Sequence, residues 1–169
     1  SLYAKECSAC HFAYQPGLMP ARSWQQLMAN LDDHFGDNAE LETEDQKALT
    51  DYLVKNAAEF SNHKRSVKIM RSLSKDKTPI RIAEIPYIVR KHDELSSKMV
   101  GGNPEVKSLS YCDKCHTRAE TGSYSERDIN IPGYGPWDDD HSSSFWNRIT
   151  HSVKDFYNDL VGQDNDSVD

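Results

Sequence analysis

Two short runs of the chain place the same reactive groups in the same order. They are Cys7-Ser8-Ala9-Cys10-His11 and Cys112-Asp113-Lys114-Cys115-His116, and together they use all four cysteines. Two thiols three positions apart on a helical turn can add across the two vinyl groups of a haem. The imidazole of the next residue then projects under the ring and binds iron, which makes C-x-x-C-H the attachment signature of c-type haem. Two copies predict two covalently bound haem c groups. Cys7, Cys10, Cys112 and Cys115 would be the thioether carriers, and His11 and His116 the proximal ligands. Rival readings explain less. Zinc sites built from two C-x-x-C pairs keep about 15–20 residues between them, whereas 101 residues separate Cys10 from Cys112. Two disulfides leave the following histidines unexplained, and a thioredoxin-like dithiol accounts for one copy at best.

The opposite side of each iron decides what such a centre does. A second strong ligand closes the site to all but electrons, and an empty side admits small molecules. The remaining candidates are His34, His63, His92, His141 and His151, with Met19, Met28, Met70 and Met99. Trp24, Leu27, Met28, Leu31 and Phe35 recur at helical spacing, so an amphipathic helix is expected over Ser23–Phe35, with Ser23 as N-cap and Gly36 as stop. His34 lies near the end of that face and is the first distal candidate for haem 1. A short helix is expected at Cys7–His11. Another should begin at Thr43, where Thr43-Glu44-Asp45-Gln46 reads as a capping box, and should bury Ala48, Leu49, Tyr52, Leu53 and Ala57. Met28 lies within an apolar stripe and reads as core. Met19, between Pro16 and Pro20, sits in a loop suited to pass the proximal side, where a backbone carbonyl could accept from the other nitrogen of His11 and fix its ring. For haem 2, Ile85, Val89 and His92 share a helical face, with Pro86 tolerated in the first turn. That makes His92 the distal candidate there; His63 and Met99 remain weaker ones.

These motifs require positioning elements, and composition bounds what those can be. The 169 residues carry a net charge of −7 and are 37% hydrophobic, below the usual ~45–50%. Three Trp, eight Tyr and five Phe argue against disorder, so an ordered but thin core points to a non-protein body filling it. No apolar run reaches the ~18 residues of a membrane span. The net negative charge removes nucleic acid as the default partner. No charged-then-apolar leader opens the chain, so covalent haem implies the periplasm with a signal peptide removed. Charge is segmented: ten acids and four bases over 1–60, nine and fourteen over 61–131, eight and two over 132–169. The basic run Lys64, Arg65, Lys68, Arg71, Lys75, Lys77 and Arg81 reads either as a solvated face offsetting haem propionates or as a docking patch for an acidic redox partner. The architecture expected is mainly α. A first domain of residues 1–60 would hold haem 1, and a second of 61–169 would hold haem 2. Long irregular stretches are expected at Gly101–Ser110 and Asp128–Trp137, with a turn or brace at 131–136. An acidic terminal helix is expected to be striped by Phe145, Ile149, Val153, Phe156 and Leu160, with His141 near its start and His151 off the stripe.

Further features carry a family resemblance. Cys7–His11 is followed by Pro16-Gly17-Leu18, then Arg22-Ser23-Trp24, His34-Phe35-Gly36 and Leu49–Leu53. Arg81-Ile82, Lys91-His92, Cys112–His116 and Gly122 through Pro132 come later. Over about residues 1–132 the chain resembles the bacterial dihaem cytochrome c family, DHC. The resemblance implies a class I cytochrome c-like N-terminal half and a C-terminal half wrapping the second haem with little regular structure. It further implies low-potential irons ligated by two histidines each, with His34 and His92 distal. It associates the chain with a membrane cytochrome b and a small monohaem cytochrome that binds oxygen or nitric oxide. The tail after about Tyr134 has no counterpart in that pattern. The function expected is outer-sphere electron transfer by a monomer rather than enzymatic turnover. The alternatives are a dihaem peroxidase or reductase, or a protein binding diatomic gas at a dissociable distal histidine.

Overall fold

The structure is a computed structural model and describes residues 1–137. Within them lie helices α1 (Leu2–Cys7), α2 (Ala21–Met28), α3 (Thr43–Lys55), α4 (Lys64–Ser72) and α5 (Pro86–Lys91), joined by short 3-10 turns. One antiparallel hairpin follows, β1 (Asn130–Ile131) with β2 (Gly135–Pro136). The described part is mainly helical with few strands, as expected. The helix expected over Phe145–Leu160, with His141 and His151, lies outside the described residues.

Helix boundaries depart from the sequence reading in instructive ways. The first helix ends at Cys7 rather than spanning Cys7–His11, which leaves Cys10 and His11 on the turn beyond it. Helix α2 begins two residues before Ser23, and Ser23 is buried inside it. The free N–H of Ala21 donates instead to both carboxylate oxygens of Glu59, at 3.1 and 2.9 Å. A carboxylate at a helix start satisfies an orphan donor and suits the dipole, and here it comes from 38 residues away. The helix stops at Met28, well before Phe35. Asn30, Asp32 and Asp33 follow, residue types whose side chains compete with helical hydrogen bonding; Asp33 accepts from the N–H of Gly36 at 3.0 Å. Trp24, Met28 and Leu31 are buried as expected, and Phe35 is exposed.

Helix α3 does start at Thr43, but Glu42 precedes it without a side-chain cap and the capping box does not form. Gln46 uses its amide to donate to the Met28 carbonyl at 2.6 Å, tying α3 to the end of α2. Leu49, Leu53 and then Ala57 face inward, while Ala48 and Tyr52 face out. Leu18, Met19, Trp24, Met28, Leu31, Leu49, Leu53, Ala57 and Ala58 form one buried cluster, completed by Ile69 of α4 and Ile85. Helix α4 comes close to the Pro16–Leu18 turn, where Ser66 donates to the Gly17 carbonyl at 2.8 Å. A Cβ at residue 17 would lie 2.9 Å from the Ser66 hydroxyl oxygen, so any larger residue there would displace that hydroxyl.

Beyond α5 the organisation changes. From 92 to 137 the only helical pieces are 3-10 turns at Cys112–Lys114, Ala119–Thr121 and Glu126–Asp128. The side chains buried there are Asn103, Val106, Ala119 and Ile131. The stretch around 131–136 is a hairpin, with Ile131 opposite Gly135. Asn103 donates to the Pro132 carbonyl at 2.8 Å and braces it.

Candidate functional site

At the first motif, α1 delivers Cys7 and the following turn presents His11. Its Nδ1 lies 2.8 Å from the carbonyl oxygen of Phe12. That corrects the expected partner, a carbonyl from the loop around Met19. The Pro16 carbonyl in that loop accepts instead from the Trp24 indole at 2.8 Å. An Nδ1–H held by a carbonyl leaves Nε2 as the free, metal-binding nitrogen.

His34 is not on a helix. His34 and Asp37 exchange backbone hydrogen bonds at 2.8 and 3.3 Å, and the residues between them, Phe35 (φ 60°) and Gly36 (φ 99°), are both left-handed. Positive φ at both central positions is the type I′ pattern, and at a bulky residue it costs roughly 1–2 kcal/mol. The Phe35 ring packs edge-on against the His34 ring at 4.9 Å, and the Arg81 guanidinium lies over Phe35 at 4.0 Å. The strained turn and this stack aim His34 at His11, with ring centroids 6.4 Å apart and planes inclined by 26°.

The second motif is built from turns. Cys112–Lys114 form a 3-10 turn, and His116 donates its N–H to the Cys112 carbonyl at 2.8 Å. The chain returning toward the hairpin pins this loop through Asn130 N–H to the Cys115 carbonyl at 2.8 Å and Thr117 N–H to the Asp128 carbonyl at 3.0 Å. His92 terminates α5, with its Nδ1 2.8 Å from the Ile88 carbonyl oxygen. Ile85 is buried and Val89 exposed. The inward row is therefore Ile85, Ile88 and His92, not Ile85, Val89 and His92. The His92 and His116 ring centroids are 6.0 Å apart with planes inclined by 80°. A cavity of about 360 Å³ opens beside them, lined by His92, Met99, Cys112, Cys115, His116 and Tyr124 among others.

The two histidine pairs have the spacing that a shared metal ion requires. A metal–imidazole bond is about 2.0 Å and the ring centre lies about 1 Å behind the nitrogen, so two trans rings sit about 6 Å apart. Burial and the neighbouring His92 and Arg65 lower the His116 pKa to about 4. Burial, with His11 adding to it, also lowers that of His34. Both rings are thus held neutral at neutral pH, the form that binds metal. The Nδ1 atoms of His34 and His116 are buried without a protein partner. Burial raises the thiols of Cys7 and Cys112 to about 11 and that of Cys115 upward.

The other candidates have structural places. Met19 and Met28 are buried core, and Met70 packs against that core. Met99 lines the cavity beside His92 and His116. His63 caps α4 by accepting from the Arg65 N–H at 3.3 Å.

Residues that spacing alone did not single out tie the two motifs together. The Tyr14 hydroxyl donates to the Ser110 carbonyl, and its ring lies 4.8 Å from that of His11. Gln15 donates to the Ala119 carbonyl at 2.7 Å and accepts from the Tyr124 hydroxyl at 2.6 Å. The Tyr124 ring stands 5.2 Å from His116. The contacts span about a hundred residues, and no local pattern pairs them; an aromatic three positions after His11 is the one visible hint.

Paired C-x-x-C-H loops, each faced by a second imidazole in a mainly helical chain, define a multihaem c-type cytochrome. Residues 3–124 match the dihaem cytochrome c (DHC) family, and the chain belongs to it. A solved structure of the diheme cytochrome c from Shewanella baltica OS155 is 39% identical, covering 82% of this chain and 97% of that one, with a TM-score of 0.68. The diheme cytochrome c from Rhodobacter sphaeroides is 45% identical over 73% of this chain and 94% of that one, with a TM-score of 0.65. No curated protein sequence matches the chain. The cofactors are two haem c groups, and the class is one of electron carriers. Among the described residues no helix is long and apolar enough to cross a membrane.

Proposed function

We propose that the chain is a low-potential electron carrier of the periplasm in which both irons are closed by two histidines, His11 with His34 and His116 with His92. Cys7 and Cys10 would hold haem 1, and Cys112 and Cys115 haem 2. The observation that carries this reading is the pair of imidazole separations, 6.4 and 6.0 Å. Haem supplies one-electron chemistry at iron, and imidazole in place of thioether on the sixth position lowers the potential. The protein's part is to keep both imidazoles neutral, fixed and in place in either oxidation state. The carbonyls of Phe12 and Ile88, each beside a ring Nδ1, and the Phe35–Arg81 stack support that role. No acid–base group is required of the chain for turnover, and no proton need move with the electron.

In this reading residues 1–60 form a class I cytochrome c-like unit for haem 1 and residues 61 onward serve haem 2, over a core that Ile69 and Ile85 share with Leu18. The protein works as a monomer, taking electrons from a membrane cytochrome b and passing them to a soluble monohaem protein. Absorption spectra test the ligation. The ferric and ferrous forms are expected to be purely low-spin and unchanged by carbon monoxide. High-spin bands or rapid gas binding would replace this reading with the peroxidase or gas-binding alternatives. Reduction of the purified protein by membranes containing a b-type cytochrome tests the donor, and failure to reduce it removes that assignment.

A further inference from the structure

The cavity beside His92 and His116 is lined by charges of both signs, among them Arg65, Arg90, Lys91, Asp93, Glu94 and Glu126. Lys91 is already turned to Glu126 at 3.6 Å. Arg65 differs from the others in how it is held. It comes from the first turn of α4, is partly buried, and places its guanidinium 4.4 Å above the Tyr124 ring. Tyr124 in turn is fixed by its hydrogen bond to Gln15 and by its edge contact with His116. Arg65 forms no ion pair with a carboxylate among the described residues. A permanently charged planar fork, oriented by an aromatic platform and facing a cavity, suits a carboxylate that enters with a ligand.

We propose that Arg65 anchors a propionate of haem 2 and sets the potential of that centre. The proposal rests on the histidine ligation argued above and adds to it a residue that touches neither iron nor a thioether. The electrostatics have one sign. Reduction adds an electron to the group, and a nearby fixed cation favours the more negative state, so Arg65 raises the potential of one haem over what His92 and His116 alone would give. In a partly buried site such an interaction is screened far less than at the surface. No bond forms or breaks and no proton is transferred; the electron passes to or from iron alone.

Potentiometric titration of the intact dihaem protein tests this. Arg65→Gln is expected to lower one of the two midpoint potentials and leave the other in place. Arg65→Lys, which keeps the charge, is expected to recover most of the shift. Arg90→Gln, which removes an exposed charge from the same cavity, is expected to move that midpoint less. The proposal is overturned if neither midpoint moves in Arg65→Gln, if both move equally, or if Arg65→Lys falls as far as Arg65→Gln. Spectra separate the two levels of argument. A low-spin, gas-insensitive protein with unmoved midpoints defeats the Arg65 role alone, whereas high-spin iron in the unsubstituted protein defeats the ligation beneath it.

Discussion

The two haem-bearing regions reach similar histidine pairs by opposite means. Around the first, α2, α3, α4, the turns that flank them and the residue before α5 together contribute eleven buried side chains to one apolar cluster. Around the second, from 92 to 137, four residues are buried among those the structure describes, and one of them is Asn103. Backbone hydrogen bonds between turns replace helix packing there. The rings mirror this inversion. In the first pair the motif histidine, His11, has its Nδ1 beside a backbone carbonyl and the facing His34 has no partner for its own. In the second pair the facing His92 has the carbonyl and the motif histidine His116 has none. Where the chain supplies a core, it can place the facing histidine on a strained turn. Where it does not, the facing histidine ends a helix, and the cofactor must supply much of the apolar interior.

The sharpest break of this contrast is removal of each attachment. Cys112→Ala with Cys115→Ala is expected to leave one haem per chain by pyridine haemochrome assay. It should also abolish amide protection across residues 93–137 in hydrogen exchange while sparing α2 and α3. Cys7→Ala with Cys10→Ala is expected to lose one haem too but to leave the buried cluster protected. Equal loss of protection in both would show that the two regions do not differ as argued. Next in size are the facing histidines. His34→Ala and His92→Ala should each convert one iron to a high-spin, carbon monoxide-binding form, and a spectrum that stays low-spin would remove that residue from the ligand set. Leu53→Ala, at a side chain only 1% exposed, is expected to cost about 2–5 kcal/mol in denaturant unfolding. Asn103→Ala strips the Pro132 brace and leaves the Glu105 N–H without its acceptor. It should cost about 1–3 kcal/mol, confined to the second region's exchange.

How much of this was legible in the sequence follows the same division. The cofactor loops could be read because their chemistry is local: two thiols and an imidazole within five residues. The inward positions Trp24, Met28, Leu31, Leu49 and Leu53 were legible because burial repeats with the helical period. The ends of α2 were not, because the N–H of Ala21 finds its acceptor in Glu59, 38 residues away, and because the apolar spacing runs on beyond Met28, where the helix stops, to a Phe35 that is left-handed. The acceptor leaves no mark nearby, and the turn leaves a misleading one: a type I′ turn is ordinarily announced by Asn-Gly or Asp-Gly, and His34-Phe35-Gly36-Asp37 hides it behind an apolar residue in helical phase. The links from Tyr14 and Gln15 to the second motif are tertiary and invisible to any window of sequence.

The finest distinction lies in ring orientation. Each imidazole raises the iron d orbital that overlaps its π system. Two rings in nearly parallel planes act on the same orbital and split the pair, while perpendicular rings act on one each and leave them nearly degenerate. The planes are inclined by 26° between His11 and His34 and by 80° between His92 and His116. The oxidised protein should therefore give two low-spin electron paramagnetic resonance signals. One is an ordinary rhombic spectrum from the first centre, and the other is dominated by a single large g value from the second. Phe35→Ala removes the ring packed against His34 and frees Arg81 from its stack, so it should broaden or shift the rhombic signal and leave the other untouched. Two rhombic signals in the parent protein would mean that His92 or His116 turns when iron is bound, and the contrast between the centres would then rest on their packing alone.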